Sequence, residues 1–261
     1  MSFSALIASA EARDEGFALS IPETWHQGRT AYGGFSASLA LAAAIKAGGE
    51  GLPPLRSASV SFVGPAYGAV ETRAKVQRRG KNAIWIAAEV LREGEVATSA
   101  SFVFMGPVTS NLHLNDCPVP DGLVPVDQAQ PIQFNPHSPQ FLRNHFEMRH
   151  ALPRTGEPQP ELCRWVRLKD RSGLDAAAEV LLIADALPPG VLPLLTPATP
   201  VSSMTWQANM LTPAPATHDG WYLLRSTGDY AENGCSSQIM RIWNADGAPV
   251  MAGMQSVAVF G

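Results

Sequence analysis

Charged residues and cysteines are both scarce in this sequence of 261 residues. Lys, Arg, Asp and Glu together make up 16% of the chain and the formal net charge is −4, so the basic footprint of a nucleic-acid-binding protein is missing. The three cysteines, Cys117, Cys163 and Cys235, are odd in number and widely spaced, which argues against a disulfide framework. We therefore expect buried, reduced thiols, a cytoplasmic location and no nucleic-acid partner.

Other familiar signals are also missing. No segment reaches the roughly 18 consecutive apolar residues of a membrane span. The N-terminal segment MSFSALIASAEARDEGF contains acidic residues and no long apolar run, which predicts that it is not a signal peptide. No GxSxG segment marks a serine nucleophile, and the six histidines show no metal-ligand spacing such as HExxH. The sequence thus predicts no membrane span and no metal site.

Apolar residues are abundant, at 46% of the chain, which is enough for a large core. The length fits one large domain or two domains of about 100–150 residues. The chain also repeats itself, because residues 55–104 and 201–260 each end in a hairpin signal and a long apolar strand that closes on Phe. An alanine-rich stretch lies upstream of each segment. A degenerate repeat of this length predicts two copies of one fold.

Two helices are predicted, one in each copy. The first, over 34–47, consists almost entirely of small and apolar residues and is followed by two glycines, which predicts a helix buried on all sides. The second, over 174–187, is predicted to be capped by Ser172 and to end before Pro188. The segments after each helix are rich in β-branched and aromatic residues with turn signals between them, which predicts an antiparallel sheet wrapped around each helix.

The domain organisation follows from these elements. Residues 1–108 form the first copy, residues 109–140 a proline-rich linker, and residues 141–261 the second copy. Proline fixes the backbone and removes hydrogen-bond donors, so we expect the linker to be extended. In the second copy, 141–152 and 161–170 are predicted strands. The predicted fold class is α+β, a double hotdog in which two central helices are each wrapped by an antiparallel sheet to form a tandem pseudo-dimer.

Several segments resemble the acyl-CoA thioesterase II-like (TesB-like) double-hotdog family. They are YGG at the first helix, SASVSFVGPAYG with the following RRGK turn, LLIADALPP at the end of the second helix, and VMAGMQSVAVF near the C-terminus. The resemblance covers most of residues 15–104 and 141–261. It implies a lipid-metabolism enzyme that hydrolyses an acyl-CoA thioester with no metal, no covalent intermediate and no cofactor beyond the coenzyme A of its substrate. In that family an Asp, a hydroxyl residue and a Gln hold the attacking water.

Asp185 and Gln255 match the family's Asp and Gln. Asp185 is predicted to lie in the last turn of an apolar helix, where burial would raise the pKa of its carboxyl toward a value that suits a general base. Gln255 is predicted to lie on the same face of the last strand as Met251, Gly253, Val257 and Val259, so its amide is expected to be buried and to need a hydrogen-bond partner. The alternatives are an exposed Asp bonded to a nearby loop and a Gln in a structural cross-strand hydrogen bond.

The hydroxyl position is where the sequence departs from the family pattern. Ser202 and Ser203 are both candidates, and adjacent residues of a strand point to opposite faces of the sheet, so the two serines cannot both face the water. The alternative is that both serines bond only within the sheet.

Residues at the start of the first helix are the candidates for substrate binding. The backbone amides of Gly33 and Gly34 lie at the positive end of the helix, where they could stabilise a developing oxyanion, although a tight packed turn would also explain them. Tyr32 is a candidate for lining the acyl pocket. The basic turn at 78–81 could contact the phosphates of coenzyme A, but the sequence favours a solvated hairpin there.

Two other functions remain open at this point. A hotdog enoyl-CoA hydratase or dehydratase would need a paired Asp and His, and the sequence has no such motif. A non-catalytic acyl-CoA-binding protein would need only the cavity. We also expect a homo-oligomer, because edge strands of wrapped sheets commonly pair between chains.

Overall fold

The computed structural model describes residues 1–153, 156–196 and 199–260. Gly261, the last residue of the predicted second copy, lies outside the described residues. Within the described ranges the chain forms four α-helices, α1 to α4, which are Phe3–Ser9, Gly33–Gly48, Gln140–His145 and Ala176–Ala184.

The same ranges contain fourteen β-strands, and every pairing between them is antiparallel. In chain order, β1 to β14 are Glu11–Arg13, Gly16–Ile21, His26–Gln27, Thr30–Ala31, Leu55–Phe62, Gly68–Arg79, Ala83–Arg92, Glu95–Met105, Phe146–His150, Glu161–Leu168, Val201–Met210, Tyr222–Glu232, Cys235–Asn244 and Pro249–Val259. Twelve of them form one sheet, and β3 and β4 form a separate hairpin.

The order of strands in the large sheet is itself a repeat. Outward from the central β5–β11 pair, the order is β5-β8-β7-β6-β2-β1 on one side and β11-β14-β13-β12-β10-β9 on the other. Each strand of the first half therefore has a counterpart at the same place in the second half. With α2 and α4 as the two central helices, this arrangement confirms the predicted α+β double hotdog.

The two central helices pack closely because α2 is made of small residues. A Cβ atom on Gly34 would lie 2.9 Å from the carbonyl oxygen of Leu181, and Ser38 Oγ lies 3.4 Å from the carbonyl oxygen of Ala178. Gly34 lies beside Leu181, and Ser38, one turn later in α2, lies beside Ala178, which comes earlier in α4. The two helices are therefore antiparallel. The N-terminus of α2 therefore lies beside the C-terminus of α4.

Helix α4 is shorter than predicted and its cap is different. Asp175, not Ser172, caps it, since Asp175 Oδ1 accepts hydrogen bonds from the amides of Ala177 at 2.9 Å and Ala178 at 3.0 Å. Asp is as good a cap as Ser and lies directly before the run of alanines. The helix ends at Ala184, so Asp185 is its C-terminal capping residue and not a member of its last turn.

The predicted strand over 141–152 is partly wrong. Its first residues form the short helix α3, and the strand β9 begins only at Phe146. Phe141 of α3 is buried and stacks on Tyr32, with ring centroids 4.1 Å apart. A contact with a residue more than one hundred positions away thus decides the local structure, which periodicity alone does not reveal.

The proline-rich segment runs along the outer face and edge of the second half. No helix or strand of the described chain falls within 106–139. Trp165 Nε1 donates to the carbonyl of Val124 and Trp243 Nε1 to that of Cys117, both at 2.8 Å. The amide of Ile132 donates to the carbonyl of Met148 in β9, which covers that edge of the sheet. This edge is not free to pair with a second chain, and the homo-oligomer stays a prediction.

The three thiols differ in their surroundings. All are free cysteines, and Cys163 is buried, Cys117 is half-buried and Cys235 is exposed. The expectation of buried thiols is therefore wrong for Cys235, because this residue follows directly on the exposed turn between β12 and β13. Among the residues described, no helix is both long and apolar enough to cross a membrane.

Candidate active site at the junction of the two halves

A cavity of about 290 Å³ lies where α2 begins and α4 ends. It is lined by both halves of the chain and contains five of the predicted site residues, namely Gly33, Asp185, Ser202, Ser203 and Gln255. Two other predicted residues, Tyr32 and Gly34, are not among the residues that line it.

Asp185 is held by one hydrogen bond from each half of the protein. Gln255 Nε2 donates to Oδ1 at 2.9 Å, and the backbone amide of Gly34 donates to Oδ2 at 2.8 Å. The carboxylate lies at the negative end of α4, but the positive N-terminal end of α2 faces it and offsets that unfavourable position. Both oxygens keep further lone pairs with which to accept a proton or a hydrogen bond from a ligand in the cavity.

Burial makes this carboxylate a stronger base than an exposed aspartate. Removal from bulk water raises the pKa of Asp185 from 3.8 to about 6, while the hydrogen bonds from Gln255 and Gly34 lower that pKa because they stabilise the charged form. A carboxylate with this pKa is largely ionised at neutral pH and can still take up a proton, which is the combination that general-base chemistry needs.

Glycine at position 33 is required by the close approach of Asp185. A Cβ atom there would lie 2.5 Å from Asp185 Oδ2 and 2.7 Å from Cζ of Phe62, so any side chain would displace one of them. The amide of Gly34 already donates to Asp185. The Gly33 amide precedes the first hydrogen-bonded turn of α2 and donates to no atom within the described ranges. Gly33 therefore brings an unpaired backbone amide to the wall of the cavity.

The pairing of β11 with β14, which contains a β-bulge, shows which of the two serines lies on the same face of the sheet as Gln255. Ser203 pairs with Val257 and Thr205 pairs with Ser256, so Met204 is an extra residue between them. Val257 is buried on the same face of β14 as Gln255, and its partner Ser203 therefore shares that inner face. Ser202 pairs with Ala258 and lies on the opposite face. Both serines line the cavity, but only Ser203 shares the inner face of the sheet with Gln255.

Tyr32 is a structural residue and does not line the cavity. Its hydroxyl donates to the carbonyl of Leu182 at 3.1 Å, and its ring is buried against Phe141. Burial, together with the charge of Asp185, raises the pKa of Tyr32 well above its usual value, so the hydroxyl stays neutral and remains a donor. The tyrosine ties the start of α2 to the end of α4.

Three polar residues near this site were not predicted from the sequence. Ser36 and Thr98 are buried and line the cavity, and Gln238 Nε2 donates to Gln255 Oε1 at 2.5 Å. Gln238 lies on the same inward face of β13 as the buried residues Met240 and Ile242. A polar amide at an inward strand position is the same signal that drew attention to Gln255, so Gln238 could have been found.

The basic turn at 78–81 lies far from the cavity. Arg79 donates to the carbonyl of Gly48 at 2.7 Å, which places this turn at the C-terminal end of α2. At 1.5 Å per residue that end is about 22 Å from Gly33. The position agrees with a hairpin turn and gives no support to a phosphate contact near the reacting carbonyl.

The described part of the chain shows neither a histidine at the cavity nor a group of three potential metal ligands.

Comparisons with known proteins agree with the two-fold organisation of the chain. Residues 21–105 match the family described as acyl-CoA thioesterase N-terminal domain, and residues 116–259 match acyl-CoA thioesterase C-terminal domain. No curated protein sequence gives a match.

Solved structures resemble this chain over nearly its whole length. A protein of unknown function with a hot dog fold from Alicyclobacillus acidocaldarius has a TM-score of 0.87 at 18% identity, with 100% of this chain and 98% of that chain covered. The acyl-CoA thioesterase II TesB2 from Mycobacterium marinum has a TM-score of 0.78 and the tesB protein from Mycobacterium avium subsp. paratuberculosis one of 0.77, both at 16% identity, with 99% of this chain and 98% of each other chain covered. At these identities the likeness establishes the fold alone.

Proposed function

Since the chain belongs to the acyl-CoA thioesterase family, we propose that it hydrolyses the thioester bond of an acyl-CoA to a free acid and coenzyme A. One observation carries this proposal. Asp185 is fixed by Gln255 Nε2 at 2.9 Å and the Gly34 amide at 2.8 Å, with its carboxylate open to a cavity lined by both halves. A positioned carboxylate with a pKa of about 6 is suited to activate water at neutral pH.

In the proposed reaction, water is the nucleophile and Asp185 is its general base. The water oxygen forms a bond to the thioester carbonyl carbon while Asp185 takes up the water proton. The second N–H of Gln255 and the hydroxyl of Ser203 are assigned the orientation of the water, because Gln255 contacts the carboxylate and Ser203 lines the same cavity on the same face of the sheet. Gln255 is neutral and acts as a donor, so it positions water without competing for the proton.

The Gly33 amide is the proposed oxyanion donor. As the carbonyl carbon becomes tetrahedral, its oxygen gains negative charge, and an amide at the N-terminus of a helix stabilises that charge. Collapse of the intermediate breaks the carbon–sulfur bond. Asp185 then returns its proton to the departing sulfur, so coenzyme A leaves as the thiol and no bond to the protein forms at any step. The reaction needs no metal or cofactor.

We propose one such site per chain, with labour divided between the halves. The second half contributes Asp185, Gln255 and Ser203, and the first half contributes the glycines of α2. The residue that caps the C-terminus of α2 is Gly49, where α4 has Asp185. Ala100 is the inward residue of β8 that pairs with Val60. The corresponding residue of β14 is Gln255. The first half thus has Gly49 and Ala100 where the second half has Asp185 and Gln255.

The competing functions are less well supported. A hotdog hydratase or dehydratase would use a histidine beside the aspartate, and among the described residues no histidine reaches the cavity. A non-catalytic acyl-CoA-binding protein has no use for a half-buried carboxylate that lines the cavity, since removing a charge from water is unfavourable. A cytoplasmic location and a part in lipid metabolism complete the proposal and are supported by the three free thiols and by the family.

The direct test is a panel of acyl-CoAs from acetyl to palmitoyl, with thiol release followed at neutral pH. Turnover of at least one member supports the proposal, and absence of turnover over the whole panel overturns it. Calorimetry on the same panel identifies the alternative, because tight binding of an acyl-CoA without thiol release is the behaviour of a binding protein.

A further inference from the structure

A line of hydrogen bonds runs from the loop after α4 to the carboxylate of Asp185. The amide of Gly190 at 2.7 Å and the hydroxyl of Ser226 at 2.9 Å both donate to Gln238 Oε1. Gln238 Nε2 donates to Gln255 Oε1 at 2.5 Å, and Gln255 Nε2 donates to Asp185 Oδ1 at 2.9 Å. Every side chain between the loop and Asp185 is buried, with relative exposures of 1% for Gln238 and 4% for Gln255.

The Gly190 amide fixes which atom donates and which accepts in each of these hydrogen bonds. A backbone N–H can only donate, so the atom of Gln238 that meets Gly190 must be its carbonyl oxygen. The NH2 group of Gln238 must then point the other way, toward Gln255, and Gln255 must meet it with its own carbonyl oxygen. The NH2 group of Gln255 is therefore turned toward Asp185, which when ionised can only accept.

The Gly190 amide is itself fixed by close packing. A Cβ atom on Gly190 would lie 2.5 Å from the backbone nitrogen of Gly228 and 2.9 Å from the carbonyl oxygen of Ser226, so the loop lies directly on β12. Gln238 pairs with Gly228 on one side and with Gln255 on the other, which holds its side chain between the loop and the last strand.

We propose that Gln238 is a positioning residue for the proposed hydrolysis, because it fixes the side-chain amide of Gln255 with its NH2 group toward Asp185 and the cavity. The inference rests on the proposed function for its catalytic consequence. Gln238 does not line the cavity and acts only through Gln255. If the amide of Gln255 reversed, it would present an oxygen to the carboxylate and would lose the N–H that orients the water.

Gln238→Glu tests this direction with a side chain of nearly the same size. While the introduced carboxyl is protonated it can still accept from Gly190 and donate to Gln255, as the glutamine does. Once that carboxyl is ionised it can only accept, so the NH2 group of Gln255 turns away from Asp185. Because the pKa of Asp185 is about 6, we expect the wild-type kcat/KM to rise with pH through that value to a plateau. In the variant we expect kcat/KM to rise in the same way, to reach a maximum and then to fall about 10- to 100-fold by about pH 9.

Two further variants separate the loss of the Gln238 hydrogen bonds from the effect of an added negative charge. Gln238→Met removes the anchor without adding a charge, and we expect a plateau lowered about 10- to 100-fold, a nearly unchanged KM and no descending limb. Ser237→Glu adds a carboxylate one residue away on the outer face of the same strand, and we expect the wild-type profile. A wild-type profile for folded Gln238→Glu, or a wild-type plateau for folded Gln238→Met, overturns the inference.

A readout that does not need turnover separates this inference from the proposed function. The side-chain NH2 resonances of Gln255, assigned with Gln255→Glu, should titrate with the pKa of Asp185 in the wild type. The same response should be lost in Gln238→Glu once the introduced carboxyl ionises. If no acyl-CoA is hydrolysed but these resonances behave as expected, the proposed function fails and the role of Gln238 in orienting Gln255 stands. If the Gln255 resonances follow Asp185 equally in both proteins, the orienting role is wrong.

Discussion

Asp185, the residue that ends the second central helix, accepts a hydrogen bond from the amide of Gly34, at the start of the first central helix, over 2.8 Å. The contact joins two residues 151 positions apart in the chain. It exists because the helices are antiparallel and because glycine at 33 and 34 lets the two ends meet. The site is therefore a product of the tandem arrangement, and neither half contains it alone.

Replacement of the carboxylate should remove most of the activity. We expect Asp185→Asn to lower kcat/KM by about 10²- to 10⁴-fold, since an amide cannot take up a proton from water. Asp175→Asn is the matched control: it is the same substitution at the other end of the same helix, where Asn caps as well as Asp. The measurement is thiol release from the acyl-CoA that the wild type hydrolyses fastest. Near-wild-type activity in Asp185→Asn would remove Asp185 from the chemistry.

The same carboxylate should make stability depend on pH. The pKa of Asp185 in the folded protein is raised to about 6 from 3.8, so between these values the folded state binds more protons than the unfolded state. Unfolding free energy therefore falls as pH rises through this window, and the full penalty is present above about pH 6. The difference corresponds to at most about 3 kcal/mol, because the half-buried side chain keeps some contact with the cavity.

Chemical denaturation at about pH 4 and about pH 8 measures this penalty. The wild type should lose more stability than Asp185→Asn between the two values, and any constant cost of the substitution cancels in the comparison. Parallel pH dependence in both proteins would mean that Asp185 ionises as freely as in the unfolded chain.

Much of the fold could be predicted from the sequence because burial dominates it. The alanine-rich stretch before β5 and the Leu-Leu-Ile run before Asp185 are apolar enough to be central helices, and the repeated hairpin signals place a sheet around each. The structure confirms that arrangement. Helix α3 was missed because Phe141 is held by a contact with Tyr32 in the other half, and such a contact leaves no trace in local periodicity.

The candidate site could be predicted only in part, for a similar reason. Asp185 and Gln255 stand out because each is a polar residue in an apolar run. The choice between Ser202 and Ser203 depends on a bulge in the pairing of β11 with β14, and register across strands that are far apart in sequence is not visible in one strand. Gln238 shows the same signal on β13, but only the pairing of β13 with β14 places it beside Gln255.

The bulge gives a prediction for the two serines. We expect Ser203→Ala to lower kcat about 3- to 10-fold, the loss of one hydrogen bond to a bound water, while Ser202→Ala leaves kcat unchanged. Steady-state kinetics on the two variants side by side is the measurement. Equal effects, or a larger effect at Ser202, would mean that the register of β11 is not the one described.

A methyl group at the start of α2 should be poorly tolerated. In Gly33→Ala the new Cβ would lie 2.5 Å from Asp185 Oδ2, so we expect a loss of stability of about 1–3 kcal/mol and a large loss of kcat. Gly64→Ala is the control, because Gly64 lines the same cavity and its added Cβ would have no neighbour nearer than 3.7 Å. Thermal unfolding and thiol release should be measured on both. A fully active Gly33→Ala would show that Asp185 and α2 are not in close contact in solution.

The most direct test of the account is a single turnover in water enriched in oxygen-18, with the protein in excess over an acyl-CoA that it hydrolyses. Attack by water held at Asp185 predicts that the released acid carries the label and that the peptide containing Asp185 carries none. Label in that peptide, with unlabelled acid from the first turnover, would mean that Asp185 attacks the thioester itself and would contradict the general-base role.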